Sequence, residues 1–140
     1  MKLLDGKIAI ITGASSGIGK AAATLFAANG ASAVLVARRQ DQLDLVVAQI
    51  QERGGRALAV VGDVTDERTH HEAVAAAKAT FGGLHIAFNN AGLVGAMKPL
   101  AEIEPREWSD VLAVNLTAAF LGARAQIHAM LEHGAVALIF

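Results

Sequence analysis

Short apolar runs alternate with longer segments of helical periodicity along the whole chain. The apolar runs predict buried strands over residues 7–12, 31–37, 56–62, 84–90 and 135–140. Between them, apolar residues recur at helical spacing, as Leu43, Val46 and Ile50 do. This periodicity predicts helices over 17–29, from a cap at Asp41 to Gly54, over 66–80 and over 105–133.

Strands that are apolar throughout and separated by helices indicate a parallel sheet covered on both faces. Right-handed crossovers then give an α/β, doubly wound parallel sheet with a Rossmann-like, three-layer α/β/α architecture. Residues 1–140 suit one such domain. The last apolar run reaches Phe140 with nothing after it to cover it, so we expect the domain to be incomplete at its carboxyl end, within the fifth strand.

The composition narrows the functional classes. With 54% hydrophobic and 18% charged residues, the chain is typical of a globular domain. A net charge of −1 without a basic stripe argues against nucleic-acid binding, and the absence of cysteine excludes disulfides and cysteine-bound zinc. We find no signal peptide and no apolar span of about 18 residues, so we expect a cytoplasmic protein with no membrane segment and no metal site.

The stretch GASSG, residues 13–17, has two chemical interpretations. It matches the Gly-x-Ser-x-Gly elbow of hydrolases, in which Ser15 would be a nucleophile served by a histidine. It also opens the longer turn GASSGIG, in which Gly13, Gly17 and Gly19 precede a helix and let backbone amides approach a phosphate. Only one strand precedes the turn and most histidines fall on predicted helices, which favours the phosphate interpretation, with Ser15 and Ser16 as hydroxyl donors.

Charged residues follow the second and third strands, at the edge where open α/β sheets bind ligands. Arg38 and Arg39 stand where a dinucleotide-binding fold contacts the adenosine ribose, and they favour the 2′-phosphate of NADP over the 2′-hydroxyl of NAD. NAD is the alternative cofactor, and solvated loop arginines are the alternative interpretation. Asp63 has two equally weighted roles, as an acceptor for an adenine amino group or as a loop or helix cap.

Polar residues also follow the fourth strand and interrupt the last helix. Asn89 and Asn90 suit bridging between strands, and Gly92 suits the close approach of a ribose. Asn115 lies within the apolar stretch VLAVNLTAAF, where a buried amide requires partners; a hydrogen bond to a neighbouring loop is the simplest expectation.

Taken jointly, four motifs resemble one family. TGASSGIG (12–19), Asp63-Val64, NNAG (89–92) and Asn115 have the order and spacing of the short-chain dehydrogenase/reductases, over Lys7 to Phe140. The resemblance implies an NAD(P)-dependent oxidoreductase acting on a carbonyl or alcohol substrate, with Asn115 in a catalytic tetrad. It also implies that the cofactor contacts Gly13, Ser15, Ser16, Gly17, Ile18, Gly19, Arg38, Arg39, Asp63, Val64, Asn90, Ala91 and Gly92.

The same resemblance implies residues that these 140 positions lack. The family's catalytic serine follows the fifth strand and its Tyr-x-x-x-Lys lies on the next helix, whereas this sequence contains no tyrosine. We therefore expect these residues alone to be inactive, with a non-catalytic dinucleotide-binding or scaffold fragment as the alternative. The complete form is expected to be a homo-oligomer, dimer or tetramer.

A few side chains outside these motifs also carry expectations. Helix 105–132 is expected to contribute an oligomer interface through Leu112, Leu116, Phe120 and Met130. The alternative is that these side chains face the sheet. The adjacent His70 and His71 are expected on the surface, and Trp108 is expected to pack near a helix start. Met97 and Lys98 are expected to border a substrate pocket.

Overall fold

A computed structural model describes residues 2–140, which form five strands and five α-helices. The strands are β1 (Ile8–Thr12), β2 (Ser32–Ala37), β3 (Arg56–Val61), β4 (Ile86–Phe88) and β5 (Leu138–Ile139). The helices are α1 (Gly17–Ala28), α2 (Gln40–Glu52), α3 (Glu67–Phe81), α4 (Pro105–Leu112) and α5 (Ala118–Leu131). A 3-10 helix covers Leu100–Glu102, and a π-helical segment covers Ala113–Thr117 between α4 and α5.

The strands form one parallel sheet in the order β3-β2-β1-β4-β5, which confirms the predicted doubly wound fold. Ile10, at the centre of β1, lies opposite Val34 of β2 and Ala87 of β4. The strand order reverses between β1 and β4. In open sheets of this type the crevice for a ligand opens at that reversal, outside the carboxyl ends of the strands.

Alternate residues of the strands supply two separate hydrophobic cores. On one face, Ile8 and Ile10 pack with buried side chains of α3 and α5, including Ala77 and Met130. On the other face, Ile11 packs with buried side chains of α1 and α2: Ala23, Ala27, Leu43, Val46 and Ile50. Every side chain of the two central strands β1 and β2 is buried on one face or the other, so these strands are continuous apolar runs and not alternating ones.

Several element ends differ from the sequence expectations. The fifth strand, predicted over 135–140, covers only Leu138–Ile139. The long helix predicted over 105–133 is divided by the π-helical segment into α4 and α5. The cap of α2 is Arg39, and Asp41 lies within the first turn. β4 begins at Ile86 and not at Leu84. The amide of Ile8 donates to the Nδ1 atom of His85 at 3.1 Å, so a side chain replaces the first backbone acceptor of the ladder.

Several expectations about exposure are wrong. His70 is buried, with 3% of its surface exposed, although its neighbour His71 is exposed as expected. For Met130 the alternative expectation holds: it is fully buried in the core on one face of the sheet and is unavailable to an interface. Trp108 is 56% exposed and does not pack as expected. Within residues 2–140, no helix has both the length and the hydropathy needed to cross a bilayer.

Candidate functional site

A cleft of about 380 Å³ opens at the carboxyl ends of the first three strands and beside the segment that follows β4. This is the edge at which the strand order reverses. The cleft brings together most of the cofactor residues predicted from the sequence: Gly13, Ser15, Ser16, Arg38, Arg39, Asp63, Val64, Ala91 and Gly92. Within residues 2–140 no histidine lines the cleft, so Ser15 has no neighbouring base there of the kind that a hydrolase requires.

The turn between β1 and α1 depends on glycine for two different reasons. Gly13 and Gly17 have φ values of 65° and 54°, a backbone conformation that side chains disfavour. Gly19 has ordinary helical geometry, but a Cβ atom there would overlap the Gly13 carbonyl oxygen and lie 2.7 Å from Nδ2 of Asn90. Gly19 therefore allows the first turn of α1 to pack directly against the loop that enters it.

The N-terminus of α1 has the properties of an anion site. Its cap, Ser16, is extended (φ −155°, ψ 169°) and forms no side-chain cap hydrogen bond, and the first turn carries no acidic residue. By contrast, α3 is capped by the carboxylate of Asp66 and carries Glu67 in its first turn. Because the first amides of a helix have no partners within the helix, an anion in the cleft would complete the cap that α1 lacks.

The two arginines lie at the end of β2, on the rim of the cleft. Both Arg38 and Arg39 are exposed, and within residues 2–140 neither guanidinium forms a salt bridge. Two unpaired, permanently charged groups beside an uncapped helix N-terminus give this rim a positive potential. The rim therefore suits a ligand with more than one phosphate group.

Asp63, at the end of β3, closes a turn and also lines the cleft. Its Oδ1 atom accepts hydrogen bonds from the Thr65 amide at 2.9 Å and the Thr65 hydroxyl at 2.8 Å. These bonds, with the charge of Arg38 adding to them, hold the pKa of the Asp63 carboxyl below its ordinary value, so the group is ionised. Within residues 2–140 the Oδ2 atom accepts no hydrogen bond. The two roles weighed for Asp63 therefore use different oxygen atoms and are compatible.

The segment after β4 is fixed to β1 by Thr12, a residue that the sequence analysis did not single out. The Thr12 hydroxyl accepts a hydrogen bond from the Ala91 amide at 3.0 Å, and the Thr12 carbonyl accepts one from Asn90 at 3.2 Å. Asn90 thus bridges strands as predicted. Asn89 does not, because its amide pairs with the buried amide of Gln126 on α5 through two bonds of 2.9 Å. A polar side chain at a strand end, next to the glycine turn, was the available signal for Thr12.

Asn115 lies in the π-helical segment and holds the chain that borders the cleft. Its Oδ1 accepts from the Leu93 amide at 2.7 Å, and its Nδ2 donates to the Leu93 carbonyl at 2.9 Å. The expected bond to a neighbouring loop is therefore present, although Asn115 is exposed and not buried. Single turns of π-helix inside α-helices are frequent at functional sites.

A second, shallower depression of about 500 Å³ adjoins the cleft and shares Ala91, Gly92 and Leu93 with it. Ile18, Asn90 and Asn115 line this depression and not the cleft itself. Neither Met97 nor Lys98 lines either one; Met97 is 95% exposed, and Lys98 forms a salt bridge of 2.7 Å with Glu107. The predicted cofactor residues therefore divide between the cleft and the neighbouring depression, except Gly17 and Gly19, which line neither.

The similarity of the sequence and the fold to those of known proteins shows the family to which the chain belongs. The family model described as short chain dehydrogenase matches residues 7–140. The chain belongs to the short chain dehydrogenase family. Cyclohexanol dehydrogenase of Acinetobacter sp. (strain SE19) is 38% identical over 135 residues, which are 96% of this chain and 54% of that protein. The 2,5-dichloro-2,5-cyclohexadiene-1,4-diol dehydrogenase LinX of Sphingobium indicum is 41% identical over 94% of this chain and 52% of that protein.

Solved structures of similar proteins have the same fold. The L-sorbose reductase of Gluconobacter frateurii, complexed with NADPH and L-sorbose, superposes with a TM-score of 0.91 at 36% identity, covering 99% of this chain and 53% of that one. A metagenomic short-chain oxidoreductase in complex with NADP gives 0.89 at 34% identity, covering 96% and 61%. The chain thus spans about half the length of the curated relatives that it matches.

Proposed function

We propose that this short chain dehydrogenase binds NADP(H) in the cleft and contributes the cofactor half of an oxidoreductase that acts on a carbonyl or alcohol substrate. One observation carries the proposal: unpaired Arg38 and Arg39 share the cleft with the uncapped N-terminus of α1. The solved relatives with bound NADP and NADPH support this assignment, because the chain matches them over nearly its whole length.

Each part of the cleft has a role in this proposal. The pyrophosphate is bound at the α1 N-terminus by the turn from Gly13 to Gly19, with the hydroxyls of Ser15 and Ser16 as further donors. The guanidinium groups of Arg38 and Arg39 bind the 2′-phosphate through charge-assisted hydrogen bonds. Asp63 and Val64 contact the adenine, while the segment from Asn90 to Gly92 follows the cofactor toward its nicotinamide end. Ile18 and Asn115 lie at that end, in the shallower depression.

When bound, the dinucleotide supplies the hydride acceptor or donor of the reaction. The role of Asn115 in this chain is to orient Leu93, which lines both depressions. By family resemblance the proton is handled by a tyrosine, and these 140 residues contain none. We therefore propose that they bind NADP(H) without turning it over, which keeps a non-catalytic dinucleotide-binding module as the second candidate function.

The cofactor assignment is tested by titrating NADPH and NADH into the purified protein by isothermal calorimetry. NADPH is expected to bind more tightly, and Arg38→Ala or Arg39→Ala is expected to weaken NADPH binding by on the order of tenfold with little effect on NADH. Arg53→Ala is the matched control, because Arg53 lies at the far end of α2, away from the cleft. Equal affinity for NADH and NADPH, or an unchanged preference in both arginine variants, would contradict the choice of NADP.

The two candidate functions are separated by turnover. NADPH oxidation is followed by absorbance with a panel of ketones and aldehydes, on a sample whose mass matches these 140 residues. We expect cofactor binding without oxidation. Carbonyl-dependent oxidation well above the rate of a buffer control would show that the catalytic set is supplied in some other way.

Self-association of the complete protein is a further part of the proposal. Three apolar side chains on consecutive turns from α4 to α5 are exposed: Leu112 (37%), Leu116 (64%) and Phe120 (60%). An apolar row of this kind is typical of an interface between protein chains. Phe120→Ser is expected to shift the sedimentation equilibrium toward monomer, whereas the same change at the remote exposed Leu45 is the control. Unchanged mass in Phe120→Ser would contradict this assignment.

A further inference from the structure

Among the histidines of residues 2–140, His70 is the one that is buried, and no role in the proposed function uses it. It lies in the first turns of α3, directly behind the wall of the cleft, with 3% of its surface exposed. Its Nε2 atom is 2.8 Å from the carbonyl oxygen of Val64, a residue that lines the cleft. The histidine therefore contacts the cofactor site from the inside of the protein.

The contact defines the state of the imidazole. A carbonyl oxygen only accepts, so Nε2 carries the hydrogen and donates it to Val64. Burial lowers the pKa of His70, with its effect only partly offset by this bond, so the ring is neutral near pH 7. Its position is also constrained by close packing. A Cβ atom at Gly122 of α5 would lie 3.2 Å from Nδ1 of His70, and one at Gly62 would lie 2.5 Å from the hydroxyl of Thr69.

The peptide group that His70 contacts is held at both of its ends. Its carbonyl belongs to Val64 and accepts the His70 hydrogen bond. Its amide belongs to Thr65 and donates to Oδ1 of Asp63 at 2.9 Å. A rotation of this peptide would therefore break both bonds together and turn the carboxylate of Asp63. Because Oδ1 is engaged in the turn, the orientation of the peptide also sets the direction of Oδ2, which is left to accept a hydrogen bond from a ligand.

We propose that His70 is a positioning residue for nucleobase recognition: it orients Asp63 through the Val64–Thr65 peptide so that the protein selects a purine with a 6-amino group over one with a 6-oxo group. The inference rests on the proposed function, since it assumes that the cleft binds an adenine dinucleotide. A carboxylate oxygen accepts a hydrogen bond from the 6-amino group of adenine. In hypoxanthine the same position is an oxygen, which the carboxylate repels.

The test compares NADPH with its deamino analogue, which has hypoxanthine in place of adenine, by calorimetric titration of each protein. The unsubstituted protein is expected to prefer NADPH by on the order of tenfold, the value of one hydrogen bond to a charged group. His70→Leu, which fills the site without a donor, is expected to lower that ratio toward one. His70→Gln carries an amide donor at the same reach and is expected to restore it. His71→Leu, at the exposed neighbour, is the matched control and is expected to keep the full ratio.

The ratio separates positioning from a general loss of structure, because a loosened cleft weakens both dinucleotides equally. His70→Leu with an unchanged ratio would overturn the inference while leaving NADPH binding, and hence the proposed function, in place. Absence of NADPH binding by the unsubstituted protein would overturn both. If His70→Leu does not fold, His70→Asn replaces it. The shorter asparagine side chain ends near the position of Nδ1 and does not reach the Val64 carbonyl, so the same fall in the NADPH preference is expected. An unchanged preference in this variant again overturns the inference.

Discussion

Replacing Gly19 by alanine tests whether close packing, and not backbone freedom, requires glycine in the turn before α1. Gly19 lies in the first turn of a helix, where alanine is ordinarily more stable than glycine by about 1 kcal/mol. Here the added Cβ would overlap the Gly13 carbonyl oxygen and lie 2.7 Å from both the Gly13 carbonyl carbon and Nδ2 of Asn90. A backbone carbonyl cannot rotate away as a side chain can, so α1 or the loop has to move.

Overpacking of this kind costs about 1–3 kcal/mol, and contact with backbone places this site at the upper end of that range. After subtracting the gain in helix propensity, we expect Gly19→Ala to lower the free energy of unfolding by about 2 kcal/mol. With a urea slope of about 2 kcal/mol/M, the midpoint of unfolding falls by about 1 M. NADPH binding is expected to weaken as well, because the amides of the turn move with it.

The assay is urea unfolding followed by circular dichroism, with Gly92→Ala as the matched control. A Cβ at Gly92 meets nothing closer than Oδ1 of Asn115 at 3.6 Å, so that variant is expected to remain within about 0.5 kcal/mol of the unsubstituted protein. Stability of Gly19→Ala equal to or above that of the unsubstituted protein would refute the packing argument. It would mean that helix propensity, which favours alanine, decides the outcome.

Three further outcomes are expected. Burial and nearby positive charge lower the pKa of His85 below its ordinary value of 6.5. The unfolded chain therefore binds more protons than the folded one, and the free energy of unfolding falls as the pH drops below 6.5. Urea midpoints at pH 7.5 and 5.5 measure this fall, and His85→Asn should reduce the difference between them. Gln126→Leu leaves the buried amide of Asn89 unpaired and should cost about 1–3 kcal/mol in the same assay, whereas no loss would contradict the pairing. Asn115→Ala should speed hydrogen exchange at the Leu93 amide selectively, and unchanged exchange there would exclude the proposed restraint.

The fold was predictable from the sequence because two physical signals agree along the chain. The apolar runs have the length of strands buried on both faces, and the segments between them have helical periodicity with helix starts and ends marked by Pro105, Gly54 and Gly82. What the periodicity did not predict is the break near Asn115. A π-helical turn adds one residue to an otherwise regular helix, and the apolar positions on either side of it still follow a helical spacing.

Most of the candidate site was also predictable, because parallel strands bring their carboxyl ends to one edge. Gly13, Arg38, Asp63 and Gly92 are far apart in sequence, yet each follows a strand, and all four line one cleft. Residues that line this cleft can therefore be found by locating the strand ends. The same argument fails for Ile18, which follows the turn by one residue more and faces the neighbouring depression.

Residues that act on the cleft from behind its wall could not be found in this way, and His70 shows the physical reason. In the sequence it is one of two adjacent histidines on a helix that is mostly polar, so an exposed position is the simplest expectation. Its burial depends on contacts with residues distant in the chain: Gly122 on α5 leaves room for the ring, and the Val64 carbonyl provides its partner. Neither contact produces a recognisable sequence pattern near His70. A buried polar side chain of this kind is recognised only when its hydrogen-bond partners are identified in the three-dimensional structure. The relative affinity for NADPH and its deamino analogue then measures whether the bond from His70 affects ligand recognition.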